Sequence, residues 1–416
     1  MRGMLNDRSV EALAISEGFQ KPLYNTYCFS QIPQTILSLL GAGQGGLPGD
    51  CVQAGPYERV IFILIDGFGW KFLEKYRERY PFLSRFFKDG IVSKITSQFP
   101  STTAAHLTTL CTGKPVGEHG IYEWFFYEPQ VNRIVAPLLY TFAGNKTLGD
   151  LENFLPPDQF FPQASFFDIL EKHNIPRRVF HHASITNSTY SRAMFHKAER
   201  IGYSSFSSGL ALLKSRLQEK GLFYFYCGDF DTAAHRHGLD SPQVEKSLDY
   251  YFSTLEESFM KELNLSNTAL LVAADHGMIE ISPKTTYYLN RELPDLGQKL
   301  KVGADGKPLV PAGSCRDLFL HVQEKYVGEV QEELQEKLHD IAVVRKTSEL
   351  MEEGFFGPVS SALRARMADL TILAKGTNSI WWYEKDRFEQ RLYAMHGGLT
   401  PDEMETIFLF LSNPSC

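Results

Sequence analysis

Four features are missing from this sequence, and each absence excludes a class of protein. No two of its six cysteines (Cys28, Cys51, Cys111, Cys227, Cys315 and Cys416) form a Cys-x-x-Cys pair. Neither a disulfide scaffold nor a thiolate metal knuckle is therefore encoded, and free thiols are expected. No apolar run reaches membrane-spanning length, so no membrane span is expected. The first residues, MRGMLNDRSVEALAISEGF, hold no apolar leader core, and the expected location is cytoplasmic, with export by an unconventional route left open. Positive charge is not in excess: the formal net charge is −7. That disfavours a nucleic-acid duplex or an anionic membrane as partner. A small anionic substrate stays compatible, because bound metal charge can dominate a site.

What is present is an ordinary globular balance of 43% hydrophobic and 22% charged residues over 416 positions. The length suits a large α/β sheet with an insertion. Residues 1–54 read as an N-terminal arm packed on the main body, with a flexible GAGQGGLPG connection at 41–49. The clearest strand is Arg59-VIFILI-Asp66, whose six consecutive apolar residues suit a parallel strand covered on both faces. Helices are predicted over 70–88, 165–173, 204–220 and 241–263, with strands over 91–97, 178–182 and 222–227. Strand alternating with helix predicts α/β architecture: a mostly parallel central sheet with helices on both faces. Residues 55–280 form that core, 281–384 read as a smaller inserted α+β lobe, and 385–416 return to the core. The stretch 128–162 reads as irregular.

Three apolar strands release an acid at their carboxyl ends: Asp66, Asp231 in GDFDTAAHRHG, and Asp275 in ALLVAADHG. In open α/β sheets that edge is where ligands bind. Asp231 and His235 stand four apart and share one face of a helical turn, whereas His237 points elsewhere. Asp275 and His276 adjoin at a strand end freed by Gly277. His396 lies just before a Thr400–Glu403 capping box with Pro401 at the first helical position. In QFPSTTAAHLTTLCTG, Pro100 ends a strand and Ser101, Thr102 and Thr103 open a helix. One of these hydroxyls would sit among backbone N–H groups that suit a phosphate. Each motif alone reads as a helix cap or a surface Asp–His pair. Together Asp66, Asp231, His235, Asp275, His276 and His396, with a hydroxyl such as Thr103, form a nitrogen/oxygen donor set. It suits zinc, and also manganese or iron. Six ligands suffice for two divalent cations, whose charge exceeds that of three carboxylates and so favours an anionic phosphoryl group. The aromatic run at 122–127 reads mainly as core, with Trp124 and Tyr127 as candidates for a substrate pocket wall. His181 and His182 read as structural or solvent-facing.

The ordered set IDG, FPSTTAAHLTTLCTG, EHGI, DFDTAAHRHG, ADHG and MHGGLTPDEM resembles the nucleotide pyrophosphatase/phosphodiesterase branch of the alkaline phosphatase superfamily, over residues 60–404. Each motif is short and loose, but all six in order are specific. The resemblance implies one cation held by Asp231, His235 and His396, and a second held by Asp66, Asp275 and His276. Thr103 would bind the second and act as nucleophile, since family spacing selects it over Thr102, the fallback. The implied reaction is hydrolysis of phosphodiester or pyrophosphate bonds in a small phosphorylated substrate of nucleotide type, through a phospho-threonine later attacked by water. There is one departure. Where many members place a phosphoryl-binding Asn five residues after the His of the HGI motif, this chain has Trp124. Either another donor, such as a backbone N–H near Thr103, takes over, or the substrate class differs. The aromatic run would then stack a base or pack against a lipid-like group. A phosphonate hydrolase shares the same metals and threonine. A phosphomonoesterase is disfavoured because no arginine neighbours the hydroxyl turn. A sulfatase would need Cys-x-Pro-x-Arg or Ser-x-Pro-x-Arg, and a non-catalytic binding protein on this fold would have lost a ligand or the hydroxyl. Oligomeric state is not encoded in any motif.

Overall fold

Alternate residues of Arg59–Ile65 point into two different cores, which is why the strand is apolar throughout. Val60, Phe62 and Leu64 pack on one face of the sheet, and Ile61, Ile63 and Ile65 pack on the other. The computed structural model describes residues 4–7, 10, 16–163 and 165–413. Within them Arg59–Ile65 is β2 of an eight-stranded sheet. The other strands are β1 (Met4–Asn6), β3 (Ile91–Thr96), β4 (Arg177–His182), β5 (Glu199–Tyr203), β6 (Gly221–Cys227), β7 (Thr268–Ala273) and β8 (Glu405–Ser412). Their spatial order is β1-β3-β8-β7-β2-β6-β4-β5, and every neighbouring pair is parallel except the two made by β8.

The reversed strand matters for the site. Because β8 runs against the rest, its first residue, Glu405, lies opposite Thr96 at the end of β3. The loop before β8, which carries His396, is thereby delivered to the carboxyl edge where β2, β6 and β7 release their acids.

Several predicted elements are corrected. The helix expected over 70–88 is two helices, Trp70–Tyr76 and Pro81–Asp89, because Tyr80 precedes a proline and is extended (φ −111°, ψ 116°). The helix expected over 204–220 is shorter, Phe206–Ser215, and opens on a Ser205/Ser208 capping box. The helix starting at Pro242 is α-helical to Thr254 and continues as a π-helical turn, Leu255–Met260. The stretch read as irregular holds an antiparallel three-stranded ribbon of Phe126–Glu128, Arg133–Ala136 and Thr141–Phe142. The N-terminal arm lies partly outside the described residues. Its described part contributes β1 and the buried helix Ile32–Leu39. Cys416 also lies outside the described residues, while the five described cysteines are all free. No helix among the described residues is long and apolar enough to cross a membrane.

Between β7 and β8, the strands Ala312–Gly313, Asp317–Leu320, Leu370–Ala374 and Ala342–Lys346 form a second, antiparallel sheet. It shares an apolar cluster with the helix Val327–Leu338. A fully buried ion pair joins this sheet to the loop before β8: Arg316 donates from Nε and Nη2 to the two oxygens of Glu403, both at 3.0 Å. Glu403 also accepts from Thr400 Oγ1 at 2.7 Å and from the Gly398 N–H at 3.0 Å. The capping glutamate therefore holds both its own helix and the second sheet. Arg316→Met should lower stability by about 3 kcal/mol, because it strands a buried carboxylate. The check is a urea unfolding midpoint. Arg316→Lys should not restore it, since an ammonium cannot reproduce the planar fork.

Candidate active site

Three consecutive hydroxyl residues enter the site with three different roles. Ser101 clamps the His396 loop: its Oγ donates to Gly398 O at 2.9 Å and accepts from the Gly397 N–H at 3.0 Å, and its carbonyl accepts from His396 Nδ1 at 2.9 Å. Gly397 is required there, with φ at +122° and Ser314 Oγ only 2.5 Å from where a Cβ would stand. Thr102 is the N-cap of α1 (Thr103–Thr112), but its hydroxyl caps nothing and donates instead to Tyr122 O at 3.2 Å. Thr103, the first residue of α1, turns its Oγ1 toward the acids, 3.5 Å from Asp66 Oδ1 and 3.3 Å from His276 Nε2.

The imidazoles are aimed by backbone. Each Nδ1 lies against a carbonyl: His235 on Ala394 O at 2.6 Å, His276 on Gly277 O at 3.0 Å and His396 on Ser101 O at 2.9 Å. A carbonyl only accepts, so Nδ1 carries the proton and the Nε2 lone pair faces inward. From helix α2 (Asp229–His237), Asp231 Oδ1 lies 3.2 Å from His235 Nε2 and 3.7 Å from His396 Nε2. His276 Nε2 lies 3.4 Å from Asp66 Oδ1 and 3.5 Å from Asp275 Oδ2. Two groups result, Asp231–His235–His396 and Asp66–Asp231–His276, each with ligand atoms within 4.8 Å of one another. Asp231 belongs to both, a sharing that the resemblance did not imply. Asp275, implied for the second group, is anchored through Oδ1 by the N–H groups of Gly67 and His276, both at 3.1 Å, which leaves Oδ2 facing His276. His237 is exposed at the end of α2.

The electrostatics fit bound cations. Asp231 Oδ1 and Asp275 Oδ2 are buried without a hydrogen-bond partner. Burial, reinforced by the charges of Asp275 and Asp231, pushes the Asp66 carboxyl well above its usual range. Burial above all raises Asp275, to about 7. At Asp231 burial also acts upward, but the facing His235 and His396 outweigh it and hold the carboxyl low. Burial and the neighbouring imidazoles hold His276 and His396 well below their ordinary value, so both present neutral rings. Three acids and three imidazoles, met among the described residues by no donors beyond the hydroxyls of Thr103 and Tyr226 and the two N–H groups on Asp275, are costly to bury together unless cations sit among them. The donor types match two divalent ions of the zinc, manganese or iron kind.

A cavity of about 350 Å³ opens beside Thr103 and Asp66. Trp124, 40% exposed, lies on its wall. Tyr127 does not: its ring packs 5.0 Å from His321 and its hydroxyl donates to Asn132, because β-ribbon pairing turns it away. His182 is exposed at the cavity and His181 is buried in its lining. Sequence reasoning missed Tyr226, whose hydroxyl donates to Asp66 Oδ2 at 2.5 Å. The available signal was the alternating FYFYC of β6, which places every second aromatic on the site face. It also missed His106, buried behind the cluster, whose Nε2 bonds Ser97 Oγ and the Gln98 N–H, both at 2.9 Å.

The sequence profile of the type I phosphodiesterase / nucleotide pyrophosphatase family matches residues 60–399. Ectonucleotide pyrophosphatase/phosphodiesterase family member 7 of Rattus norvegicus is 21% identical over 249 residues, which are 57% of this chain and 54% of that protein. The chain thus spans about half the length of the curated relatives it matches. Among solved structures, murine ectonucleotide pyrophosphatase/phosphodiesterase 5 superposes with a TM-score of 0.64 at 20% identity, covering 85% of this chain and 88% of that one. An inactive variant of that protein, solved in complex with AMP, gives 0.62 at 20% identity over the same shares. Phosphonoacetate hydrolase from Sinorhizobium meliloti 1021, in complex with phosphonoformate, gives 0.58 at 18% identity, covering 88% and 94%. These likenesses establish the fold as mixed α/β with a large, mostly parallel central sheet.

Proposed function

The chain belongs to the type I phosphodiesterase / nucleotide pyrophosphatase family, and from that membership we propose that it hydrolyses phosphodiester or pyrophosphate bonds of small, nucleotide-type substrates, using Thr103 as covalent nucleophile beside two divalent cations. The observation that carries this reading is the Thr103 hydroxyl, first in α1 and turned onto Asp66 and His276 at 3.5 and 3.3 Å. Asp231, His235 and His396 would hold one cation, and Asp66, Asp275 and His276, with Asp231 at the boundary, the other; zinc is the first candidate. Bound there, the pair would supply Lewis-acid charge and lower the pKa of a hydroxyl or water at the site.

The chain's own groups do the rest. Thr103 Oγ1 gives up its proton to solvent and attacks phosphorus. The bond to the opposite ester oxygen breaks, that oxygen leaves as the alcohol with a proton from solvent, and the phosphorus with its remaining ester is left on Thr103. Water then attacks the same phosphorus and returns the threonine hydroxyl. The first N–H groups of α1, which opens at Thr103, have no intrahelical partner and would be the donors to a phosphoryl oxygen there. They replace the asparagine whose position Trp124 occupies. Tyr226 fixes the Asp66 carboxylate through the bond at 2.5 Å. Among the described residues, no lysine or arginine lines the cavity. A monoanionic diester therefore suits the site better than a dianionic monoester, which would need a guanidinium clamp. The AMP bound by the related murine protein supports the nucleotide class. The five free, buried cysteines fit a reducing compartment, and we place the chain in the cytoplasm.

The test compares the 4-nitrophenyl ester of thymidine 5′-phosphate with 4-nitrophenyl phosphate and phosphonoacetate on metal-loaded protein. Expected is kcat/KM at least about tenfold higher for the diester, corresponding to about 1.4 kcal/mol. Faster phosphate release from the monoester or from phosphonoacetate would replace the diesterase reading with the matching alternative.

A further inference from the structure

The cavity beside Thr103 has partly apolar walls and a floor with two polar groups, His181 and Tyr224, that the reaction above does not use. In neighbouring strands β4 and β6, Val179 lies opposite Tyr224. The two-residue pleat then puts Val179, His181, Tyr224 and Tyr226 on one face. All four line the cavity, below side walls that include Leu107, Leu138, Ile185 and Phe195. Four tyrosines reach this space, and three have their hydroxyls engaged. Tyr190 meets Thr108 Oγ1 at 3.0 Å, Tyr203 donates to Tyr226 O at 2.6 Å, and Tyr226 donates to Asp66 at 2.5 Å. The fourth, Tyr224, is 3% exposed and its hydroxyl has no partner. The same holds for His181, 2% exposed, whose Nε2 has no partner. Burial, helped by Arg200, lowers the His181 imidazole to about 4, so the ring is neutral and its nitrogen can donate or accept.

Two buried, unpaired polar atoms on the floor of a ligand-sized pocket are unfavourable unless a ligand meets them. A hydrocarbon substituent would leave both unpaired, whereas a heterocycle offers donors and acceptors on its edge and an apolar face for the walls. Resting on the diesterase reading, we propose that His181 and Tyr224 are specificity-determining residues: they read a hydrogen-bonding edge on the organic substituent of the substrate and select base-like groups over alkyl chains.

Two esters that release the same 4-nitrophenolate test this on metal-loaded full-length protein, one of thymidine 5′-phosphate and one of octyl phosphate. The readout is the ratio of their kcat/KM values. The ratio should favour thymidine in the wild type and fall by about tenfold in Tyr224→Phe and again in His181→Leu. His181→Gln, which keeps hydrogen-bonding capacity, should retain most of it. A ratio unchanged in both loss variants overturns the proposal, because a merely structural role would slow both esters alike. A second readout does not depend on turnover. By titration calorimetry, thymidine 5′-monophosphate should bind metal-loaded Thr103→Ala about tenfold more tightly than the same chain also carrying Tyr224→Phe. Equal affinities overturn the proposal. If the wild type cleaves neither ester, the diesterase reading falls and the calorimetric pair alone decides this one.

Discussion

Thr103→Ala is expected to lower kcat/KM for a nucleotide diester by at least about a thousandfold, because it removes the attacking atom and leaves only positioning and electrostatics. Thr102→Ala should cost no more than about tenfold, since the Thr102 hydroxyl only donates to Tyr122 O. The two residues are adjacent and both buried, yet only Thr103 faces Asp66 and His276. Acid quenching of the wild type during turnover, followed by peptide mass analysis, should find the nucleoside 5′-phosphate esterified to the segment holding Thr103. Full activity in Thr103→Ala with loss in Thr102→Ala would move the nucleophile by one residue. Loss of both without a peptide carrying the nucleoside phosphate would sink the covalent route.

The second large effect is expected at Asp231. Its carboxylate faces His235 and His396 on one side and joins Asp66 and His276 on the other. Asp231→Asn keeps the shape and removes the charge that both cations would share. Bound metal, counted by plasma emission after dialysis, should fall from about two ions per chain to one or fewer, with diesterase activity down by about a thousandfold. His276→Ala removes a ligand atom of the second group alone, although its ring stacks on His396 at 3.7 Å, and should leave the first ion in place. Chelation of the wild type should abolish turnover, and zinc should restore it. An Asp231→Asn chain that still holds two ions would refute the sharing.

How far the sequence reached can be judged residue by residue. The acids Asp66 and Asp275 were legible because each ends an unbroken apolar strand, a pattern that needs no knowledge of distant residues. The Asp231–His235 pair followed from helical spacing, and the Thr400–Glu403 capping box occurs as read. The break before Pro81 and the turning away of Tyr127 were missed for local reasons: a residue before proline that will not stay helical, and a ribbon where only irregular chain was read.

The linear chain thus specified the kinds of group at the site and the elements that carry them, since strand runs, caps and helix spacing act over a few residues. It did not specify how they meet. Ser101 meets His396 across 295 positions, Tyr226 meets Asp66 across 160, and Arg316 meets Glu403 across 87. The antiparallel course of β8 and the unpaired floor of His181 and Tyr224 belong to the same class. Such contacts exist only after two cores have closed around one sheet. Burial then decides which polar groups must find a partner in the protein and which are left for a ligand.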